Sequence, residues 1–326
     1  MCPRLNGCSC VGILQRIVAK TKNNPQNARW LLVALLGVLL AAPHGTVIKQ
    51  AVAALDPFLL NVLRFGFISI ICSPFIWRHR RLLKPPVLKA IAIAGLYMAV
   101  AVSCYVQAVK LSLASYAEVI TIFIPIVLVI YSVVFFKQRV TSRAATGISL
   151  AGIGALLLVV MPFATEGAAA FYPMATALML LDVLSYPIAI IQFKKINEMG
   201  IPLIVVIGLS SLMIAVISIP LFFLLGDGRV HAPNAWGWFG VIYSGLAVAL
   251  ISRMFKVWSF EHLGVATTGA MMYLETLLGV LLPMALLHEH ISVFTVACGL
   301  LVLLGVFIVQ SHVSLAHHHH HIWHAH

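Results

Sequence analysis

Residues 135–154 read FFKQRVTSRAATGISLAGIG, and residues 286–305 read LLHEHISVFTVACGLLVLLG. Each stretch closes one apolar run, makes a short polar turn and opens a last apolar run, and the offset between them is 286 − 135 = 151 residues. Working outward, LDPFLL at 55–60 and GIPLIV at 200–205 hold equivalent places, as do YVQAVKLSLA at 105–114 and KVWSFEHLGV at 256–265. The chain reads as two copies of one unit.

The composition puts both copies in lipid. Of 326 residues, 62% are hydrophobic and 9% charged, and mean hydropathy is +1.04, where soluble domains carry roughly 25% charged residues. A bilayer core about 30 Å thick takes about 20 apolar residues per helical crossing. Runs of that length, bounded by Pro, Gly or charge, fall at 30–48, 58–77, 87–107, 113–135, 145–162, 173–192, 203–225, 236–255, 265–287 and 291–310. Ten spans are expected. The first follows a basic segment, yet it is too long for a removable signal peptide and no small-residue cleavage site precedes the next span.

The net charge of +12 reports topology and no nucleic-acid partner, because Lys and Arg sit in short breaks that alternate between rich and poor. With the N-terminus in the cytoplasm, the rich breaks hold Arg4, Arg16, Lys20, Lys22 and Arg29, then Arg78, Arg80, Arg81, Lys84 and Lys89, then Lys137, Arg139 and Arg143, then Lys194 and Lys195, then Arg253 and Lys256. The poor ones hold Lys49, Lys110 and Arg229. Such asymmetry implies an even number of spans and two cytoplasmic termini. Five spans per copy is an odd number, so the second copy enters the membrane upside down. Inverted repeats of this kind build secondary transporters, with the substrate site near the midplane where the halves meet. The expected fold is all-α and integral to the membrane: a cytoplasmic segment at 1–29, a first repeat at 30–162, a second at 173–310 and a His-rich tail at 311–326.

The residues that carry a family resemblance are Ile124-Pro125, Lys137-Gln138-Arg139, Gly147, Gly152 and Gly154 in the first copy, Leu274-Glu275-Thr276, His288-Glu289-His290, Gly299 and Gly305 in the second, and Arg64 in PFLLNVLR. In these the chain resembles the EamA-type family of the drug/metabolite transporter superfamily. Gln138 stands where that family usually has Glu, and Thr276 where it usually has Pro. The resemblance covers residues 30–310 and implies a multi-pass transporter with no cofactor.

A charge at the bilayer centre costs about 3 kcal/mol or more, so ionisable residues inside spans are candidates for function. Asp182 and Glu275 lie about ten residues into their spans, which at 1.5 Å per residue is roughly 15 Å deep. Each is read either as a substrate or proton ligand or as a neutral carboxyl hydrogen-bonded between helices. Arg64 and Glu118 lie nearer the outer ends of the second and fourth spans, where they could serve substrate or simply pair with each other. Tyr97, Tyr186 and Tyr273 are deep enough to line a site, whereas Tyr105, Tyr116, Tyr243 and Trp258 read first as interface anchors. Pro43 and Pro187 fall in the first helix of each copy and mark a hinge or a site-lining break. His44 follows Pro43 and could titrate.

Three function classes remain. A carrier moving a small metabolite by alternating access, coupled to protons or working by exchange, fits the duplication and the buried acids. A cation-permeable channel is the second reading, although no ring of filter residues appears. An intramembrane enzyme is the third, but the chain shows no HExxH, GxSxG or nucleotide-loop motif. Its expected partners are a small-molecule substrate and the lipid bilayer of a cell membrane, the bacterial inner membrane foremost, in which it sits as a monomer or homodimer. No metal site is expected: Cys2, Cys8 and Cys10 lack zinc spacing, and Cys72, Cys104 and Cys298 read as small buried hydrophobes. The tail LAHHHHHIWHAH fits a purification tag or an incidental tract as well as a metal site.

Overall fold

The computed structural model describes residues 25–136, 172–226 and 233–287, with single positions inside 146–157 and 296–308. Among these, every regular element is a helix. In chain order they are α1 (Pro25–Ala41), α2 (His44–Val52), α3 (Pro57–Arg78), a 3-10 turn (Arg80–Leu82), α4 (Pro85–Leu111), α5 (Ala114–Thr121), α6 (Phe123–Phe136), α7 (Pro173–Glu198), α8 (Leu203–Leu225), α9 (Ala235–Ile242), a π-helix (Tyr243–Ser252) and α10 (Arg253–Leu286).

Local chemistry sets several ends. Asp56 caps α3, its carboxylate accepting from the Phe58 and Leu59 N–H groups at 2.8 and 3.3 Å, and Pro57 follows at the position where a missing N–H is harmless. Pro85 and Pro173 open α4 and α7 in the same way. Gly200, with φ of 82°, lets the chain leave α7 through the left-handed region.

Among the described residues, six helical segments are long and apolar enough to cross a membrane: Arg29–Val52, Pro57–Arg78, Pro85–Leu111, Pro173–Glu198, Leu203–Leu225 and Ala235–Leu263. They coincide with six of the expected spans. Those expected at 113–135 and 265–287 appear in part as the shorter apolar helices Ala114–Leu128 and Leu274–Leu286. The spans expected at 145–162 and 291–310, the N-terminal cysteines and the His-rich tail lie outside the described residues, save for isolated positions. Large apolar side chains such as Ile70, Trp77, Phe223 and Leu224 are 65–77% exposed. In water a surface of this kind would aggregate; in a bilayer it is the lipid-facing face.

Although α10 is helical throughout, it is not straight. Positions 256 and 275 would stand about 28 Å apart along a straight axis, yet the Lys256 Nζ donates to Glu275 Oε1 at 2.7 Å. The segment therefore folds back between them, where the sequence expects the eighth span to give way to the ninth.

Helix pairing follows the duplication. Close partners are α3 with α8, α4 with α7, and α1 with both α10 and the π-helix. Exchanging the halves maps the α4–α7 contact onto the contact between α1 and the π-helical span, and maps α3–α8 onto itself. The directions of α3 and α8 are also fixed. A Cβ built on Gly208, near the start of α8, would lie 2.5 Å from the Cβ of Cys72, near the end of α3. One built on Gly226, just past the end of α8, would lie 2.9 Å from the carboxylate of Asp56, at the start of α3. The second helices of the two halves thus run antiparallel.

Candidate functional site

Two departures from α-helix build the site. Between α1 and α2, Pro43 supplies no N–H and its ring blocks the preceding turn, so the helix stops at Ala41 and restarts at His44. Across from it, the π-helix leads straight into Arg253 and is tied to α1 by Ser252 Oγ donating to the Gly37 carbonyl and Tyr243 Oη donating to that of Leu40, both at 2.8 Å. A π segment inside a long helix commonly accompanies a functional site.

Between these elements lies a partly open cavity of about 110 Å³. Its walls come from both halves: Ala41, Ala42, His44, Arg64, Val102, Tyr105, Glu118, Thr121 and Ile124 from the first, and Asp182, Tyr186, Val248, Arg253, Lys256, Met272, Glu275 and Thr276 from the second. Ligand pockets typically measure at least about 300 Å³, so this conformation is narrower than one that would enclose a whole metabolite.

Among the described residues, six formal charges line it. Lys256 and Glu275 form an ion pair at 2.7 Å with 12% and 21% of their side chains exposed. The hydroxyl of Tyr105 donates to Glu118 Oε1 at 2.5 Å, and the ring of Tyr105 stacks on that of His44 with centroids 5.1 Å apart. Two glycines make room for the Glu118 carboxyl: a Cβ on Gly45 would lie 2.6 Å from Oε1, and one on Gly279 would lie 3.0 Å from Oε2. Arg64, 1% exposed, donates to His44 Nε2 at 3.4 Å. Arg253 is 7% exposed and shares the cavity lining with Tyr186. Asp182 is 4% exposed on the wall formed by α7.

The structure brings together Glu275, Asp182, Arg64, Glu118, Tyr186 and His44 in this one cavity. Tyr97 is 37% exposed on α4, away from the lining, and the side chain of Tyr273 lies outside the described residues. Pro43 interrupts its helix as expected, whereas Pro187 stays within a continuous α7. The pairing that the sequence left open for Arg64 and Glu118, beside a role toward substrate, does not occur. Their hydrogen bonds go to His44 and Tyr105 instead, because Glu118 is wedged between the glycines of α2 and α10. A second correction concerns Arg253 and Lys256. The charge pattern assigns them to a cytoplasmic break, but both line the cavity. Nothing in their spacing distinguishes them from a cytoplasmic flank, so the sequence offers no signal for this placement.

Twenty-eight chains of solved structures match this fold. One, a crystal structure, aligns with a TM-score of 0.60 over 86% of this chain and 96% of its own, at 18% identity, which shows a shared fold and nothing finer. No curated protein matches the chain. The profile of the EamA-like transporter family matches twice, over residues 28–160 and 173–311. The chain is a membrane protein that belongs to the EamA-like transporter family, within the drug/metabolite transporter superfamily.

Proposed function

We propose that this protein is a secondary-active carrier for a small metabolite, working by alternating access across a cell membrane. One observation carries the reading: a charged cavity walled by both repeats in a chain of a transporter family. A site shared between two repeats is exposed to one side or the other as the halves rock. Its small volume suits a conformation between the two open ones.

The full architecture we propose has ten helices in two inverted sets of five, with both termini in the cytoplasm and the bacterial inner membrane as host. Asp182, Glu118 and Glu275 are the proposed substrate or proton ligands, since a buried carboxyl that can be neutralised is what proton coupling requires. Transport, not catalysis, is the activity.

Counterflow into liposomes carrying the purified protein tests this, with metabolites preselected by thermal stabilisation. A carrier gives saturable exchange, and Asp182→Asn lowers it at least about tenfold while the protein still folds and inserts. Electrodiffusive single-channel currents would replace the carrier with a channel.

A further inference from the structure

The cavity's charges do not cancel in the same way. Lys256 and Glu275 neutralise each other directly. Glu118 and Asp182 are carboxyls, which a low-dielectric site can render neutral by proton uptake. A guanidinium has no such exit, because arginine stays protonated in proteins. Yet among the described residues neither Arg64 nor Arg253 forms an ion pair with a carboxylate. The hydrogen-bond partner of Arg64 is a histidine ring nitrogen, and neutral polar side chains such as those of Tyr186 and Thr276 share the cavity lining with Arg253.

Each arginine also keeps a buried donor with no acceptor among the described residues, Nε of Arg64 and Nη1 of Arg253. The two side chains are 1% and 7% exposed and line one cavity of about 110 Å³. The Phe65 ring, 4.6 Å from the Arg64 guanidinium, offers its π-face but no acceptor in the plane of Nε. Two permanent cations with free in-plane donors, held in a desolvated space, are matched by a group bearing negative oxygens in a planar or tetrahedral array.

We infer that the substrate carries an oxyanion, a carboxylate or a phosphate, held jointly by Arg64 and Arg253. The inference rests on the carrier reading of this cavity and names the class of solute it moves. Lys256 is excluded as the main anchor because Glu275 already occupies it.

The test is thermal stabilisation of the purified full-length protein at fixed ionic strength by succinate, pyruvate, glycerol 3-phosphate and inorganic phosphate, with tetraethylammonium and glucose as cationic and neutral controls. At least one oxyanion should raise the melting temperature saturably, the carboxylate and phosphate arms telling which group is taken, while the controls do nothing. Arg64→Gln and Arg253→Gln should each weaken that response by about tenfold or more. Should either variant fail to fold, the wild-type arm decides alone. Stabilisation confined to the cation or the sugar, or by no oxyanion, overturns the inference, as does an undiminished anion response in a folded Arg64→Gln/Arg253→Gln protein. Oxyanion binding without saturable flux in liposomes would instead overturn the carrier reading and leave the anion site standing.

Discussion

Lys256 and Glu275 are mostly withdrawn from solvent, so their mutual attraction has to offset the desolvation of both charges. Removing one partner then strands the other, a loss of about 3 kcal/mol or more. Lys256→Met and Glu275→Gln should each lower the melting temperature in detergent, and the double variant should recover most of the loss. Additive losses would mean that the pair is uncoupled. Gly45→Ala makes a different demand: its methyl group would meet Glu118 Oε1 at 2.6 Å, so the carboxyl must move away from Tyr105. We expect uptake to fall sharply with a destabilisation of about 1–3 kcal/mol, read by transport and melting on the same preparation. Asp182, Glu118, Arg64 and Glu275 were legible in the sequence because a charge inside an apolar run is too costly to be incidental. Arg253 and Lys256 were not. At the end of an apolar run a basic residue looks like a cytoplasmic flank, and only the structure shows the helical span running past both residues to Leu263 with the two lining the cavity.

Among the elements, the two proline sites of the repeats behave differently. Pro43 separates α1 from α2, but α7 passes Pro187 without a break. Pro43→Ala restores an N–H and removes the ring clash, letting α1 run on through His44 and Gly45 and displacing the wall that holds His44 against Arg64. We expect unchanged or slightly higher stability, uptake lowered by about tenfold or more, and a smaller effect from Pro187→Ala. Equal effects in a side-by-side uptake assay would show that the break has no special part in the cycle. The helices themselves were legible because apolar runs of span length admit little else. The π-helix was not: YSGLAVALIS carries no residue that distinguishes it from ordinary α-helix, and its register is set by contacts to Gly37 and Leu40 on α1.

For the whole molecule, the decisive matter is whether the second half is inverted relative to the first. Sequence supported this through span parity and charge alternation, neither of which shows which helices touch. The antiparallel course of α3 and α8, fixed by Cys72 against Gly208 and Asp56 against Gly226, adds direct packing evidence for one equivalent pair. If inversion extends to the entire repeat, the loop before α3 and its counterpart before α8 must lie on opposite faces of the membrane. Ala53 and Met199 are exposed in those two loops. With all other cysteines replaced by serine, Ala53→Cys should react with a membrane-impermeant maleimide in intact cells. Met199→Cys should react only in inverted vesicles, as the basic residues Lys194 and Lys195 beside it require. Labelling of both from the same face would make the copies parallel. A cavity that faces each side in turn would then lose its symmetry argument, because two parallel halves have no pseudo-twofold axis in the membrane plane to exchange inward- and outward-facing states.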